Sequence, residues 1–306
     1  MLGELAALCA AALWAVASIL WTRLGRTHDA VALNLLKCVV AALLLSATLA
    51  ILHGTPWPAG LDSSAFFWLG LSGISGLTLG DSAYFLALQR LGPRKTLLIW
   101  SAAPGLSALL AWPVLGEPVH AVMLIGMALT LSGVTWVVLE RSEDNKEAFV
   151  PSLQRSTQVW GLAFAGVALA GQASSNVLVK YGALLGGDSV GALEASIVRL
   201  AIGSLGLGFY LGALGRITGS IAPLREVSSR TTALVAIFLG TFLGIWLMSY
   251  GVIHAEVGIA ATLNSTSPLF VLPLVVWMEG EKLSYRSVVG ALVAVAGVAV
   301  LFLGSS

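Results

Sequence analysis

The chain has 306 residues, of which 58% are hydrophobic and 10% charged, with a mean hydropathy of +0.92 and a net charge of +1. Soluble domains carry about a quarter charged residues, so this composition excludes an ordinary water-soluble protein. The nearly balanced charge gives no sign of nucleic-acid binding. The composition predicts an integral membrane protein.

Apolar runs of about 20 residues, each long enough to cross the hydrocarbon core as a helix, recur along the whole chain. The first has no basic segment before it and no small-residue cleavage site, so we expect it to be retained rather than removed as a signal peptide. The connections are short, and the longest is the charged linker 140–158. We count ten predicted spans, at 2–22, 31–52, 65–89, 96–115, 119–139, 159–180, 188–213, 232–253, 257–278 and 287–304.

The basic residues of the connections predict the orientation of the chain. Connections that follow odd-numbered spans contain thirteen lysines and arginines, whereas the opposite set, with both termini, contains only Lys180. Both termini are therefore predicted to be non-cytoplasmic, in a protein of the cell (inner) membrane.

An internal repeat relates the two halves. A shift of 164 residues aligns them without a gap over 76–139, and shifts of 162 and 158 are needed earlier in the repeat. We therefore expect a first five-helix repeat at 1–139, the linker at 140–158 and a second repeat at 159–306. Five is an odd number, so the second repeat enters the membrane from the opposite side. The predicted fold is all-α and polytopic, with ten transmembrane helices in two inverted repeats, although duplication also occurs in scaffolds and enzymes.

Two matching segments carry a family resemblance. They read "APGLSALLAWPVLGEPVHAVMLIGMALTLSGVTWVVL" (103–139) and "SPLFVLPLVVWMEGEKLSYRSVVGALVAVAGVAVLFL" (267–303). Each has a proline-bearing helix, a Gly-Glu corner and a glycine-bearing last helix. The chain resembles the ten-helix EamA-type members of the drug/metabolite transporter superfamily. The resemblance implies transport of a small molecule, and familiar relatives have both termini inside, opposite to the orientation predicted here.

Helix breakers and polar residues interrupt spans four and nine. Pro104 and Pro268 lie near their middles, where a proline removes an intrahelical hydrogen bond and predicts a kink. A carbonyl freed in this way must find another donor or face a wet cavity. The residues expected to line such a cavity are Asn264, Ser265, Thr266 and Ser267, with Trp100 and Ser101 at the equivalent place. The alternative is that the hydroxyls bond back to preceding carbonyls of their own helix.

Ionisable side chains within spans are costly and are expected to face a cavity or a partner. Lys37 and Asp81 lie at similar depths and are predicted to pair, either structurally or with Asp81 exchanging a proton. Ile245 occupies the Asp81 position in the second half, so Arg199 is left for an anionic substrate group or for a carboxylate from another span. Glu194 is the fourth ionisable candidate. Further cavity candidates on the core spans are Trp14, Asn34, Tyr84, Gln172, Asn176 and Tyr250.

Glu117 and Glu281 repeat well, but each lies at a corner between two spans. A carboxylate there is expected to cap the next helix rather than to catalyse a reaction. The sequence has no recognisable metal, nucleotide or nucleophile motif, so we expect no cofactor and no enzymatic activity.

These observations predict a secondary transporter, an exporter or exchanger, of a small organic metabolite or drug. It would work by alternating access around a midplane cavity. Coupling to protons through Asp81 or Glu194 and transport without a coupling ion both stay open, as do a monomer and a homodimer in the lipid bilayer. The alternatives are a translocator of lipid-linked substrates, or a membrane enzyme or scaffold whose cavity faces the bilayer.

Overall fold

The computed structural model describes residues 1–25, 27–144, 155–187, 190–279 and 285–304, and every regular element within these ranges is helical. The predicted all-α polytopic fold is confirmed. Six helices are long and apolar enough to cross a membrane, and three shorter apolar helices accompany them. The six are Leu2–Leu24, Ala30–His53, Gln158–Gly186, Ala192–Ala213, Val227–His254 and Tyr285–Leu303.

The helices follow one another with short connections. Two π-helical segments, named π1 (Ile74–Gly80) and π2 (Ile237–Leu243), join α3 to α4 and α10 to α11. The α-helices are α1 (Leu2–Leu24), α2 (Ala30–His53), α3 (Ser63–Gly73), α4 (Asp81–Trp100), α5 (Ala103–Leu115), α6 (Ala121–Asp144), α7 (Arg155–Gly186), α8 (Ala192–Ala213), α9 (Ala222–Arg225), α10 (Val227–Ala236), α11 (Gly244–His254), α12 (Val257–Asn264), α13 (Ser267–Glu279) and α14 (Tyr285–Gly304).

Local sequence signals set several helix ends. The Asp29 carboxylate accepts hydrogen bonds from the backbone N–H groups of Val31 and Ala32 at the start of α2. These donors have no intrahelical partner, so the aspartate stabilises the helix start. The same helix stops at Gly54, whose φ of 77° suits a residue without a side chain.

The π-helical segments were not predicted. With the 164-residue shift, π1 falls within one residue of π2, so both repeats have the same irregularity at the same place. Side chains from neighbouring helices bond their carbonyls: Asn34 Nδ2 donates to Leu77 O at 3.1 Å, and Trp14 Nε1 donates to Gly240 O at 2.6 Å. Such bonds satisfy backbone groups that lipid could not. Asn34 and Trp14 therefore hold the two π segments in place.

The two halves contact each other through equivalent helix pairs. Helix α1 packs on π2 and α11, and its counterpart α7 packs on π1 and α4. The close approaches at glycines repeat with the shifts found in the sequence. Gly3 lies against His254 and Ala255 as Gly161 lies against Arg90 and Leu91, and Gly240 lies against Ala17 as Gly76 lies against Ser175.

The equivalent helices α6 and α14 show the direction of the symmetry axis. Gly126 lies against Leu301, whereas Gly133 lies against Ala294, so the two helices run antiparallel. An axis along the membrane normal would make equivalent helices parallel. An axis in the membrane plane makes them antiparallel, which is the inverted relationship of secondary transporters.

Candidate substrate-binding site

The predicted kinks are helix breaks. Helix α4 ends at Trp100 and α5 begins at Ala103, while α12 ends at Asn264 and α13 begins at Ser267. Each proline therefore stands second in a new helix instead of inside a continuous one. Because the first turn has no intrahelical partner for its N–H groups, Pro104 and Pro268 start their helices without losing a hydrogen bond. This corrects the prediction that the prolines bend continuous spans.

The hydroxyl groups beside Pro268 bond back to their own chain. Ser265 Oγ donates to Ala261 O at 2.9 Å and Thr266 Oγ1 donates to Leu263 O at 2.6 Å. Ser267 Oγ donates at 3.1 Å to the Asn264 carbonyl. Pro268 cannot donate to that carbonyl, because proline has no backbone N–H. The alternative interpretation of these hydroxyls is therefore the one observed.

Asn264 differs from its neighbours. Its Oδ1 is buried and has no hydrogen-bond partner among the described residues. The side chain lies where α12 ends, at the break between two half-helices. It remains a candidate for contact with a bound molecule.

Lys37 and Asp81 form an ion pair at depth. Lys37 Nζ lies 3.1 Å from Asp81 Oδ2, and the two side chains are 21% and 23% exposed. Lys37 is the eighth residue of α2, about 10 Å along the helix from its start. Asp81 begins α4 directly after π1, and the Tyr84 ring of the same helix packs on Trp100 with 4.7 Å between centroids. A charged pair with partial exposure at this depth is expected to face an internal, wet space.

Arg199 is placed differently from Lys37, its equivalent in the first repeat. The residue is 7% exposed, and its Nη1 and Nη2 donate to the hydroxyls of Ser249 and Ser175 at 3.1 and 3.2 Å. Its Nε is buried and has no partner, and among the described residues no carboxylate lies within ion-pair distance of it. The Asp81 charge acts on Arg199, but that carboxylate is bonded to Lys37.

Other predicted positions join helices or lie at helix ends. Gln172 Nε2 donates to Asn176 Oδ1 and Asn176 Nδ2 donates to Ser107 Oγ, both at 3.3 Å, which links α7 to α5. The Tyr250 ring stacks on His254, with 4.0 Å between centroids, at the end of α11. Ser101 lies in the turn between α4 and α5.

Glu194 lies near the start of its helix. Helix α8 starts at Ala192, later than predicted, so Glu194 lies in its first turn and its carboxylate folds back beside Gly191. A negative charge at that end is stabilised by the helix dipole. The use of Glu194 as a cavity residue stays a prediction.

Glu117 caps a helix of the other repeat. Its Oε2 accepts from Val257 N at 2.8 Å at the start of α12, and its Oε1 lies 2.5 Å from Lys180 Nζ. Lys180 also donates to the Ala255 carbonyl at 2.5 Å. The prediction of a cap was for the next helix, α6, and is wrong in that respect. Glu281 lies outside the described residues.

We name Glu117, Lys180, Ala255, Glu256 and Val257 the Lys180 cluster. Burial and the neighbouring negative charge of Glu117 raise the pKa of Glu256, while Lys180 and His120 act in the opposite sense. The cluster lies at the end of the bundle that contains the N-terminus, because Gly3 lies against Ala255. Residues 257–263 of α12 are all buried there. This end of the molecule is closely packed, whereas Lys37 and Asp81 keep their partial exposure nearer the other end.

The inverted halves, broken helices and charged side chains at depth define a class, that of helical membrane transporters for small molecules. The chain belongs to the EamA-like transporter family, whose model matches residues 1–139 and 159–303.

The chain is similar to one curated protein whose name states an activity. It is a probable terminal-alkyne amino-acid exporter from Streptantibioticus cattleyicolor, 27% identical over 119 residues. The match covers 38% of this chain and 37% of that protein. A solved crystal structure matches with a TM-score of 0.73 at 19% identity, covering 99% of this chain and 98% of the other, which shows the shared fold.

Proposed function

We propose that this protein is a secondary transporter, an exporter or exchanger, that moves a small organic metabolite by alternating access of its two repeats. The observation that carries the proposal is the antiparallel packing of the equivalent helices α6 and α14, in a molecule that also holds the Lys37–Asp81 pair at depth. In such a pair, each repeat can adopt the conformation of the other, which exposes a central site to alternate sides. The repeats are taken as 1–139 and 159–306, joined by the linker 140–158.

Export is favoured by two observations. The relative is named as a probable terminal-alkyne amino-acid exporter, which supports a small, amino-acid-like substrate. The Lys180 cluster closes the end that contains the termini, and the basic residues support a non-cytoplasmic position for that end in the cell membrane. The end nearer Lys37 and Asp81, whose side chains are 21% and 23% exposed, would then face the cytoplasm, the side from which an exporter collects its substrate.

Transport by the purified protein in proteoliposomes tests the proposal. The panel contains the proteinogenic amino acids, their amides and amines, and neutral drug-like compounds, with and without an imposed pH gradient. We expect uptake or exchange of at least one compound. Liposomes without the protein should show neither. Absence of transport for every compound in both gradient directions would contradict the proposal.

Proton coupling through Asp81 is tested in the same preparation. If Asp81 carries the coupled proton, Asp81→Asn removes the dependence of transport on the pH gradient and leaves exchange of substrate for substrate. If transport by Asp81→Asn depends on the pH gradient as before, another group carries the coupled proton.

A further inference from the structure

We propose that Arg199 is the anchor for a single carboxylate group of the transported molecule. The substrates would then be organic monocarboxylates, with amino acids among them. This inference rests on the proposed transport function and names the chemical class that its central site binds.

The first argument is the state of the guanidinium group. Arg199 is more than nine-tenths buried, and its described partners are the neutral hydroxyls of Ser249 and Ser175. A buried cation without a paired anion is costly, because neutral dipoles replace only part of its hydration. In a guanidinium group, Nε–H and one N–H of the adjacent Nη are parallel and match the two oxygens of a carboxylate. Here Nε has no partner among the described residues, and each Nη has a second N–H beside the one that a serine accepts.

The second argument is the orientation of that group. Ser175 Oγ donates at 2.7 Å to the Ser72 carbonyl, so its lone pairs face Arg199 Nη2. Ser249 holds Nη1 from α11. Two helices therefore restrain the guanidinium at both Nη atoms, and the buried Nε–H has no partner among the described residues. A preorganised donor loses less entropy when a ligand binds.

The third argument comes from the repeat. In the first half, Lys37 has its counter-ion in Asp81, at 3.1 Å. In the second half, the position equivalent to Asp81 holds Ile245, which is 8% exposed. The two halves thus share a cation at matched depth, but one lacks the internal anion. A ligand that supplies one negative charge completes the second pair.

The balance of charge selects the class of anion. Lys37 and Asp81 neutralise each other, so Arg199 leaves one uncompensated positive charge at depth. A monocarboxylate neutralises it. A phosphate dianion would leave an excess negative charge near Asp81, and an amine without an acid group would add to the positive charge.

Binding to the purified full-length protein tests the inference independently of transport. We use thermal unfolding at constant ionic strength with norleucine, norleucinamide, pentylamine, hexanoate and phosphate as probes. We expect norleucine or hexanoate to raise the midpoint in proportion to the logarithm of its concentration. Norleucinamide, pentylamine and phosphate should give at least tenfold weaker apparent affinity.

Variants assign the effect to Arg199. Arg199→Gln should abolish the carboxylate-dependent shift, and Arg199→Lys, which keeps the charge but not the fork, should weaken it about tenfold. Ser204→Ala is the matched control on α8, since the Ser204 hydroxyl donates to the Leu200 carbonyl of its own helix at 2.5 Å. This control should bind as the natural protein does.

The outcomes separate the two proposals. Equal binding of acid and amide, binding retained in a folded Arg199→Gln variant, or no binding of either carboxylate would overturn the assignment of Arg199. Transport could still occur in each of these cases. Carboxylate binding that depends on Arg199, without transport of any compound in the panel, would support the assignment and contradict the transport function.

Discussion

Replacing Lys180 by methionine is expected to open the end of the molecule that contains the termini. Lys180 links three points there: the Glu117 carboxylate, the Ala255 carbonyl and, through Glu117, the start of α12. Methionine keeps the length of the side chain and removes its charge. Glu117 would then be a nearly buried carboxylate without a cation.

The size of the effect follows from burial. Removing one partner of a buried ion pair costs about 3–5 kcal/mol. The Lys180 and Glu117 side chains keep 14% and 13% exposure, and Glu117 keeps its bond from Val257 N, so the lower end applies. A cost of about 3 kcal/mol to the closed form shifts the equilibrium toward the open form by roughly 150-fold.

Cysteine accessibility measures this shift. In a background with Cys9 and Cys38 replaced by alanine, a cysteine at Ala260, which is fully buried on α12, is labelled by an impermeant maleimide only after opening. Lys180→Met should increase the labelling rate by the factor given above. Combining it with Glu117→Gln should restore slow labelling, because no unpaired charge remains.

The matched control is an exposed ion pair at the opposite end. Arg216 bonds Asp29 there, with 59% and 34% exposure, and such surface pairs contribute about 0–1 kcal/mol. Arg216→Gln should therefore leave the labelling rate within a few-fold of the natural rate. If Lys180→Met labels no faster than this control, the Lys180 cluster does not hold the closed end together.

Three further predictions concern pH, the deep ion pair and the scaffold. Because burial and Glu117 raise the pKa of Glu256 in the closed form, its ionisation opposes closure. The contribution of Glu256 to closure is therefore fully present below the ordinary glutamate pKa and is lost as the pH rises through the raised value. Labelling at position 260, divided at each pH by the rate for an exposed cysteine to remove the effect of thiolate formation, should increase over that window and become flat in Glu256→Gln. Asp81→Asn leaves Lys37 charged and unpaired at depth, so we expect it to lower the free energy of unfolding by about 1–3 kcal/mol and with it the unfolding midpoint. The double variant with Lys37→Met should recover the midpoint. Equal midpoints for the single and the double variant would argue against a stabilising pair. In Gly133→Ala, the new Cβ would lie 2.5 Å from the Gly290 carbonyl oxygen, which should cost about 1–3 kcal/mol in thermal stability, whereas Gly105→Ala, with nothing within 4 Å, should not destabilise the protein.

Much of the architecture could be read from the sequence because its causes are local. Hydropathy over about 20 residues predicts a span, since each span must satisfy its own backbone groups in lipid. The repeat was visible because glycines at close helix contacts and prolines at helix starts recur at fixed shifts. The Lys37–Asp81 pair followed from two charges at matching depth, where few other partners exist.

The remaining features depend on which helices pack together. The sequence placed Glu117 beside α6, but the fold brings it to α12, 140 residues away. The hydroxyls near Pro268 could bond a ligand or their own helix, and only the geometry of the break decides. The π segments are invisible to hydropathy, because they change the hydrogen bonding of the backbone and not its polarity.

The sequence by itself determined the membrane class, the spans and the relationship of the two halves. Hydropathy and helix breakers act within one segment, and the repeated residues can be compared directly along the chain. Tertiary structure alone decided which partners two other charges have. Glu117 meets Lys180 and the start of α12, whereas Arg199 meets the hydroxyls of Ser249 and Ser175. That difference arises because the partners of a buried charge come from distant parts of the chain, and their separation is set by helix packing.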